Sequence, residues 1–214
     1  MYSDWSAELA ADSPVLSIPW VDESGRLTYI DLREGPERID EVPEAAAHPA
    51  LRRSLLILNS AQSSVSTAKC DVWPLDQSDV AACCDLLDWP ADSADEGGGP
   101  RFGFGSYIDT VLRDHQAFAS HDLHLELISE LARAAAALDL EDSTTEFVLR
   151  FCSVASAQQL RVGYAVTMYV YGVAASEARA YAAWGEAQMA VSDLLLGLLK
   201  LKLQGVIARD DKMG

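Results

Sequence analysis

The stretch from Arg161 to Leu203 constrains the fold more than any other. Val162, Tyr164, Val166, Met168 and Val170 alternate with Arg161, Gly163, Ala165, Thr167, Tyr169 and Tyr171. A two-residue period rich in β-branched and aromatic side chains predicts a strand with one fully apolar face. Gly172 ends it, and Ser176 offers a hydroxyl to the first free amides of a helix. Ala180, Trp184, Ala187, Val191, Leu194, Leu198 and Leu201 then recur at spacings of four and three. That is one stripe along a helix of about seven turns. A strand and a long helix, each with an apolar face, leave the rest of the chain the task of covering them.

The covering elements are legible in order. Two apolar runs, 15–20 and 27–32, flank the polar turn DESGR and predict a hairpin. Residues 33–48 read as an acidic loop. Pro49 opens a helix to about Asn59, carrying Leu51, Leu55 and Leu58. Residues 64–73 alternate as a strand ended by Pro74. A short helix over 79–88 follows, capped by Ser78. Residues 104–112 predict a strand, and 122–138 a helix with Leu127, Leu131, Ala134 and Leu138 inward and Arg133 relieving a Glu126–Glu130 repulsion. Residues 143–154 fit a helical capping box at Ser143–Glu146 and also a period-two strand through Phe147, Leu149 and Phe151. The strand reading, a hairpin of 146–154 with 161–172, agrees better with the run FVLRFCSV.

The resulting order is ββαβα followed by βαββα. It predicts an α+β fold: a mostly antiparallel sheet with helices on one face. The second half begins like a ferredoxin-like unit. The whole reads as one domain of two halves, 1–90 and 101–205, joined at 89–101 by the segment PADSADEGGGP, which cannot bury anything.

Charge narrows the function classes. The net charge is −17 over 214 residues. Residues 1–46 carry eleven acidic and three basic side chains, and residues 71–100 carry eight acidic and none basic. Nucleic-acid binding and anionic membrane surfaces both call for lysine and arginine, so neither is expected. Such a surface serves solubility in the plainer reading and docks a basic partner in the sharper one. The N-terminus lacks the shape of a signal peptide, and the charge-free run 162–176 is too short to span a bilayer. The expectation is a cytoplasmic protein. Cys70, Cys83, Cys84 and Cys152 form no metal or disulfide framework and read as small buried hydrophobes.

No residue set is recognisably catalytic, and no metal or cofactor site is expected. His115, His121 and His124 gather at a helix start, where solvent-facing caps are the plainer reading than a metal site. Gly103-Phe104-Gly105-Ser106 resembles a phosphate loop but precedes a strand, so the amides of a helix N-terminus are missing. Ser60, Ser63 and Ser64, with His48 nearest in sequence, form no nucleophile elbow. The most concentrated mixed surface is Thr67, Lys69, Asp71 and Trp73 on one face of the 64–73 strand, and Lys69, Asp71 and Trp73 are the candidates for a ligand or partner.

The run LLLGLLKLKL at 194–203 puts leucines on several sides of one helix. Leu196, Leu199 and Leu203 project away from the core stripe and are candidates for self-association as a homodimer, with wrapping by the N-terminal MYSDWSAEL as the competing account. The expected function is an interaction or regulatory protein whose acidic N-terminal half binds a basic macromolecular partner. The alternatives are a small-molecule binding domain, with its ligand between sheet and long helices, and an enzyme with an unrecognised site.

Overall fold

The computed structural model describes residues 1–22, 24–89, 101–155 and 159–210, with side chains as far as Lys202. The segment expected as a linker at 89–101 falls, except for its ends, outside the described residues. The elements are β1 (Tyr2–Glu8), β2 (Leu16–Ile18), a 3-10 helix (Pro36–Glu41), α1 (Pro43–Ala47), α2 (Pro49–Leu58), β3 (Val65–Pro74), α3 (Gln77–Leu86), β4 (Phe102–Leu112), α4 (His115–Ala119), α5 (His121–Ala136), β5 (Ser143–Ala155), β6 (Leu160–Ala174) and α6 (Glu177–Asp210).

The fold is α+β, with a mixed, mostly antiparallel sheet in the order β1-β5-β6-β4-β3. β6 is central, bonded to β5 and β4, as its two bulky faces require. The β5–β6 hairpin pairs thirteen positions from Ser143↔Gly172 to Ala155↔Leu160, which settles the strand-or-helix question at 143–154. The capping-box pattern loses because Phe147 and Leu149, both fully buried, need the period of two.

The unit β4-α5-β5-β6-α6 is the split βαβ of a ferredoxin-like fold: β4 and β5 run parallel with β6 between them. A strand following α6 would lie antiparallel beside β4. That place is held by β3, which comes earlier in the chain. β3 of the first half and β4 of the second therefore belong to one sheet.

The main core lies between the sheet and α2, α5 and α6. Leu51, Leu55 and Leu58, Leu127 and Leu131, and Trp184 are all at most 1% exposed. Burying each such side chain contributes about 1.5–3 kcal/mol before the entropy of ordering is subtracted. α6 comes close enough to β6 that a Cβ on Gly172 would collide with the backbone of Trp184, so this strand position admits only glycine.

Several expectations are corrected. Residues 2–8 form a strand, parallel to β5, rather than a wrap for the end of α6. The 15–20 run contributes only β2, also parallel to β5 and placed end to end with β1. Of the expected hairpin only a single bridge, Val21↔Thr28, survives, because Leu16 and Ile18 find better burial on β5. α3 lies on the face of the sheet opposite the long helices: Val80, Cys83 and Cys84 pack with Leu75 and Val173, and Cys83 approaches Thr144. Its cap is Asp76, which accepts from the amides of Ser78 and Asp79, rather than Ser78.

On α6 the buried stripe follows the expected residues to Val191, then shifts to Leu195 and Leu199, each 1% exposed, while Leu201 is 69% exposed. The stripe turns because the helix runs on to α5, where the Lys202 ammonium reaches Glu126 at 3.1 Å and Glu130 at 3.0 Å. Lys202, where the sequence pointed to Arg133, is the cation paired with Glu126 and Glu130. Leu199 is a core residue, not an outward one, and Leu196 is half-buried. The side chain of Leu203 lies outside the described residues. No helix among the described residues is long and apolar enough to cross a membrane.

Candidate functional site

β3 positions the residues singled out from the sequence, and it is irregular where they sit. Its register with β4 shifts between Thr67 and Cys70. The shift has a cause in α2. Asn59, just past the helix end, donates from its amide nitrogen to the Leu55 carbonyl and to Thr67 Oγ1, each at 2.8 Å, and accepts from the Thr67 amide at 3.1 Å. Thr67 is thereby drawn toward the helices and buried. Beyond the bulge the alternation resumes out of phase, so Thr67 does not share a face with Asp71 and Trp73. The four-residue face read from the sequence is broken at this point.

Lys69 sits within the bulge. Its ammonium lies 5.1 Å from the ring centre of Trp20, whose indole N–H donates to the Ala68 carbonyl at 2.7 Å. The chain between β2 and α1 is pinned to the outer edge of β3 by these contacts. A cleft of about 460 Å³ is lined by residues within 20–32, by residues within 38–44 and by β3, with Lys69, Asp71 and Tyr107 in its lining.

Asp71 and Trp73 belong to the sheet face opposite the long helices. The β3–β4–β6–β5–β1 register lines up Asp71, Tyr107, Tyr169, Glu146 and Asp4 in one row, and Trp73, Gly105, Tyr171, Thr144 and Tyr2 in the next. The rings make a continuous set. Trp73 is 6.2 Å from Tyr107 and 6.3 Å, edge on, from Tyr171; Tyr107 is 6.0 Å from Tyr169; Tyr169 and Tyr171 are nearly parallel at 6.3 Å. Such tilted and offset pairs hold one another in place. All four rings are half-buried. Gly105 makes the room: a Cβ there would meet the Trp73 ring at 3.0 Å. The same holds at Gly103, where a Cβ would meet Leu75 at 2.7 Å. The glycines that suggest a phosphate loop in the sequence instead admit the side chains of β3 and its exit.

The neighbouring row is buried and polar. Thr167 donates to Asp109 Oδ1 at 2.6 Å, and Asp109 is 6% exposed. Burial pushes the Asp109 carboxyl above its ordinary range, against the opposing pull of the Thr167 hydrogen bond, Arg150 and Lys69. Burial likewise raises the Tyr107 and Tyr171 phenols, helped by the charges around them, and holds Cys70 and Cys152 as thiols, each pushed up to about 12. Arg150 crosses this region with its guanidinium 5.9 Å from the Tyr169 ring, donating to the Tyr169 hydroxyl at 3.2 Å and paired with Glu8 at 3.1 Å. The face therefore presents aromatic rings, neutral phenols and carboxylates.

The other sequence candidates are not brought together. His124 is 1% exposed, donates from Nδ1 to the Ser120 carbonyl at 2.8 Å and packs on Tyr164, so it is an inward residue rather than a solvent-facing cap. His121 also contacts Tyr164. Among the described residues no group of three potential metal ligands is assembled. His48 shares a 3.1 Å hydrogen bond with the Tyr181 hydroxyl and meets Trp184 edge on, while the Ser63 hydroxyl is spent on the Val65 carbonyl.

Sequence reasoning missed the tyrosine rows and the buried Asp109. Their signals are an acid inside the apolar run of β4 and tyrosines two apart on β6; only the strand register joins them. No family model, no curated protein and no solved structure matches this chain.

Proposed function

We propose that the chain is a binding protein whose aromatic sheet face takes a basic segment of a partner protein. The observation that carries this reading is the set Trp73, Tyr107, Tyr169 and Tyr171, half-buried and edged by the carboxylates of Asp71, Glu146 and Asp4. A lysine or arginine over a tyrosine or indole face is stabilised by about 0.5–2 kcal/mol, and a neighbouring carboxylate adds to it. Arg150, beside these rings, is already engaged by Glu8 and Tyr169. The net charge of −17 would draw a basic partner in and repel an acidic one.

Titration calorimetry of the whole chain with a short arginine- and lysine-rich peptide tests this, with an acidic peptide of the same length as control. Binding of the basic peptide alone is expected, and it should weaken as salt rises from about 50 to 500 mM. Tyr107→Ala with Tyr169→Ala should reduce affinity by at least about tenfold, equivalent to ~1.4 kcal/mol. Equal affinity of wild type and the double variant would mean that only diffuse charge is at work, and the face would lose its role.

A further inference from the structure

The cleft beside β3 carries a second, separate inference. Its floor is apolar, formed by Leu32, Leu55 and Ala68. Its lining carries seven charged residues, of which Arg38 and Glu41 form an ion pair and Asp22 and Arg26 are held by hydrogen bonds within their own loop. Arg38 makes a two-pronged contact with Glu41 at 3.0 and 2.8 Å. Asp22 is turned into its own loop, accepting from the Leu27 amide at 2.8 Å and from the Ser24 hydroxyl. Arg26 donates to the same hydroxyl at 3.0 Å.

Among the described half-exposed charges of this lining, Lys69 and Glu44 are held by neither an ion pair nor a side-chain hydrogen bond, and they have opposite signs. Lys69, on the Trp20 side, has the indole ring as its neighbour and no carboxylate within ion-pair distance among the described residues. Glu44, on the α1 side, has no ion pair or side-chain hydrogen bond among the described residues, and its nearness acts on the Cys70 thiol in the cleft lining. Both are only half-exposed. Asp71 stands at the same opening, with one oxygen on the Val72 amide. A partly desolvated charge without a counter-charge is unfavourable, and two of opposite sign lining one cleft are complementary to one ligand that carries both. The volume is in the range of small-ligand sites, where an apolar lining supplies affinity and a few polar groups fix orientation.

We infer that this cleft binds a small zwitterion with an apolar body, an apolar amino acid or a short apolar peptide, with its carboxylate toward Lys69 and its ammonium toward Glu44 and Asp71. The two sources share one chemistry and differ in the separation of their charged ends. Lys69 and Glu44 belong to the cleft and not to the aromatic face; Asp71 and Tyr107 border both, while Tyr169 lies outside the cleft.

The test is titration calorimetry of the full chain with leucine, Leu-Leu, N-acetyl-leucine and leucinamide. Leucine or Leu-Leu should bind, and whichever binds more tightly identifies the length. The acetylated form lacks the ammonium and the amide form lacks the carboxylate; each should bind at least about tenfold more weakly. Glu44→Gln should abolish the discrimination against N-acetyl-leucine, and Lys69→Met the discrimination against leucinamide. Unchanged melting temperatures of these surface variants would show that the fold is intact. Tyr169→Ala should leave all four affinities as they are, which separates this site from the basic-peptide face. Absence of binding by leucine and Leu-Leu at millimolar concentration, or equal binding of free and blocked forms, overturns the inference.

Discussion

The indole N–H of Trp184 on α6 donates a 2.8 Å hydrogen bond to the hydroxyl of Ser106 on β4, and both residues are fully buried. The Ser106 hydroxyl donates in turn to Gln188 Oε1 at 2.7 Å, and Gln188 Nε2 donates to Ser192 Oγ at 3.3 Å. The apolar stripe of α6 thus contains a polar chain that fixes the helix against one strand and not its neighbour. Buried polar groups that are all satisfied confer this kind of specificity.

Trp184→Ala should cost about 3–5 kcal/mol, the usual range for a buried aromatic. Trp184→Phe keeps most of the volume and removes only the donor. It should cost less, about 1–3 kcal/mol. Urea denaturation measures both. A cost for the phenylalanine variant equal to that of alanine would place the energy in the hydrogen bond rather than in the packing.

The two ends of the leucine run should behave oppositely. Leu199→Ala empties a core position and should cost about 2–5 kcal/mol. Leu201→Ala changes a 69% exposed side chain and should stay within about 0.5 kcal/mol. Thermal unfolding of the two variants compares them directly. Equal losses would return the buried stripe to the spacing expected from the sequence.

Asp109 makes stability fall as pH rises. Its carboxyl is held above the ordinary value of 3.8 by burial, so the unfolded chain releases this proton first. The native state is penalised progressively as pH climbs from about 3.8 through the raised folded value. Asp109→Asn cannot ionise and still offers Thr167 an oxygen. The variant should be more stable than wild type at neutral pH, and the advantage should shrink toward pH 4. Urea midpoints across pH 4–8 for the pair check this; a difference that does not vary with pH would contradict it.

His124 acts in the other direction. Burial lowers it from the ordinary 6.5, partly opposed by its hydrogen bond to Ser120, so the unfolded chain takes up a proton first as pH falls. Stability should therefore decline below about pH 6.5 until the lowered folded value is passed. His124→Leu should remove that part of the slope. An unchanged slope between pH 7 and 5 would mean that His124 is as solvated folded as unfolded.

What the sequence by itself determined is what short-range periodicity can encode. Alternation at Val162–Tyr171 makes a strand, and leucines three and four apart in α2 and α5 make helices, because each pattern presents one apolar face in only one backbone geometry. The order of strands from β3 onward then leads to the ferredoxin-like half. Tertiary structure alone decided the features with no local period. Tyr2–Glu8 becomes a strand only because β5 offers it an edge. In LLLGLLKLKL every side of the helix carries leucine, so local pattern cannot choose a face, and α5 chooses Leu195 and Leu199. The bulge at 67–70 follows from Asn59 reaching Thr67, and a one-residue shift sends a side chain to the other face. For the same reason Asp71 and Trp73 were legible as surface residues, while their alignment with Tyr107, Tyr169 and Tyr171 was not. Register is a relation between distant segments, set by packing across the whole sheet.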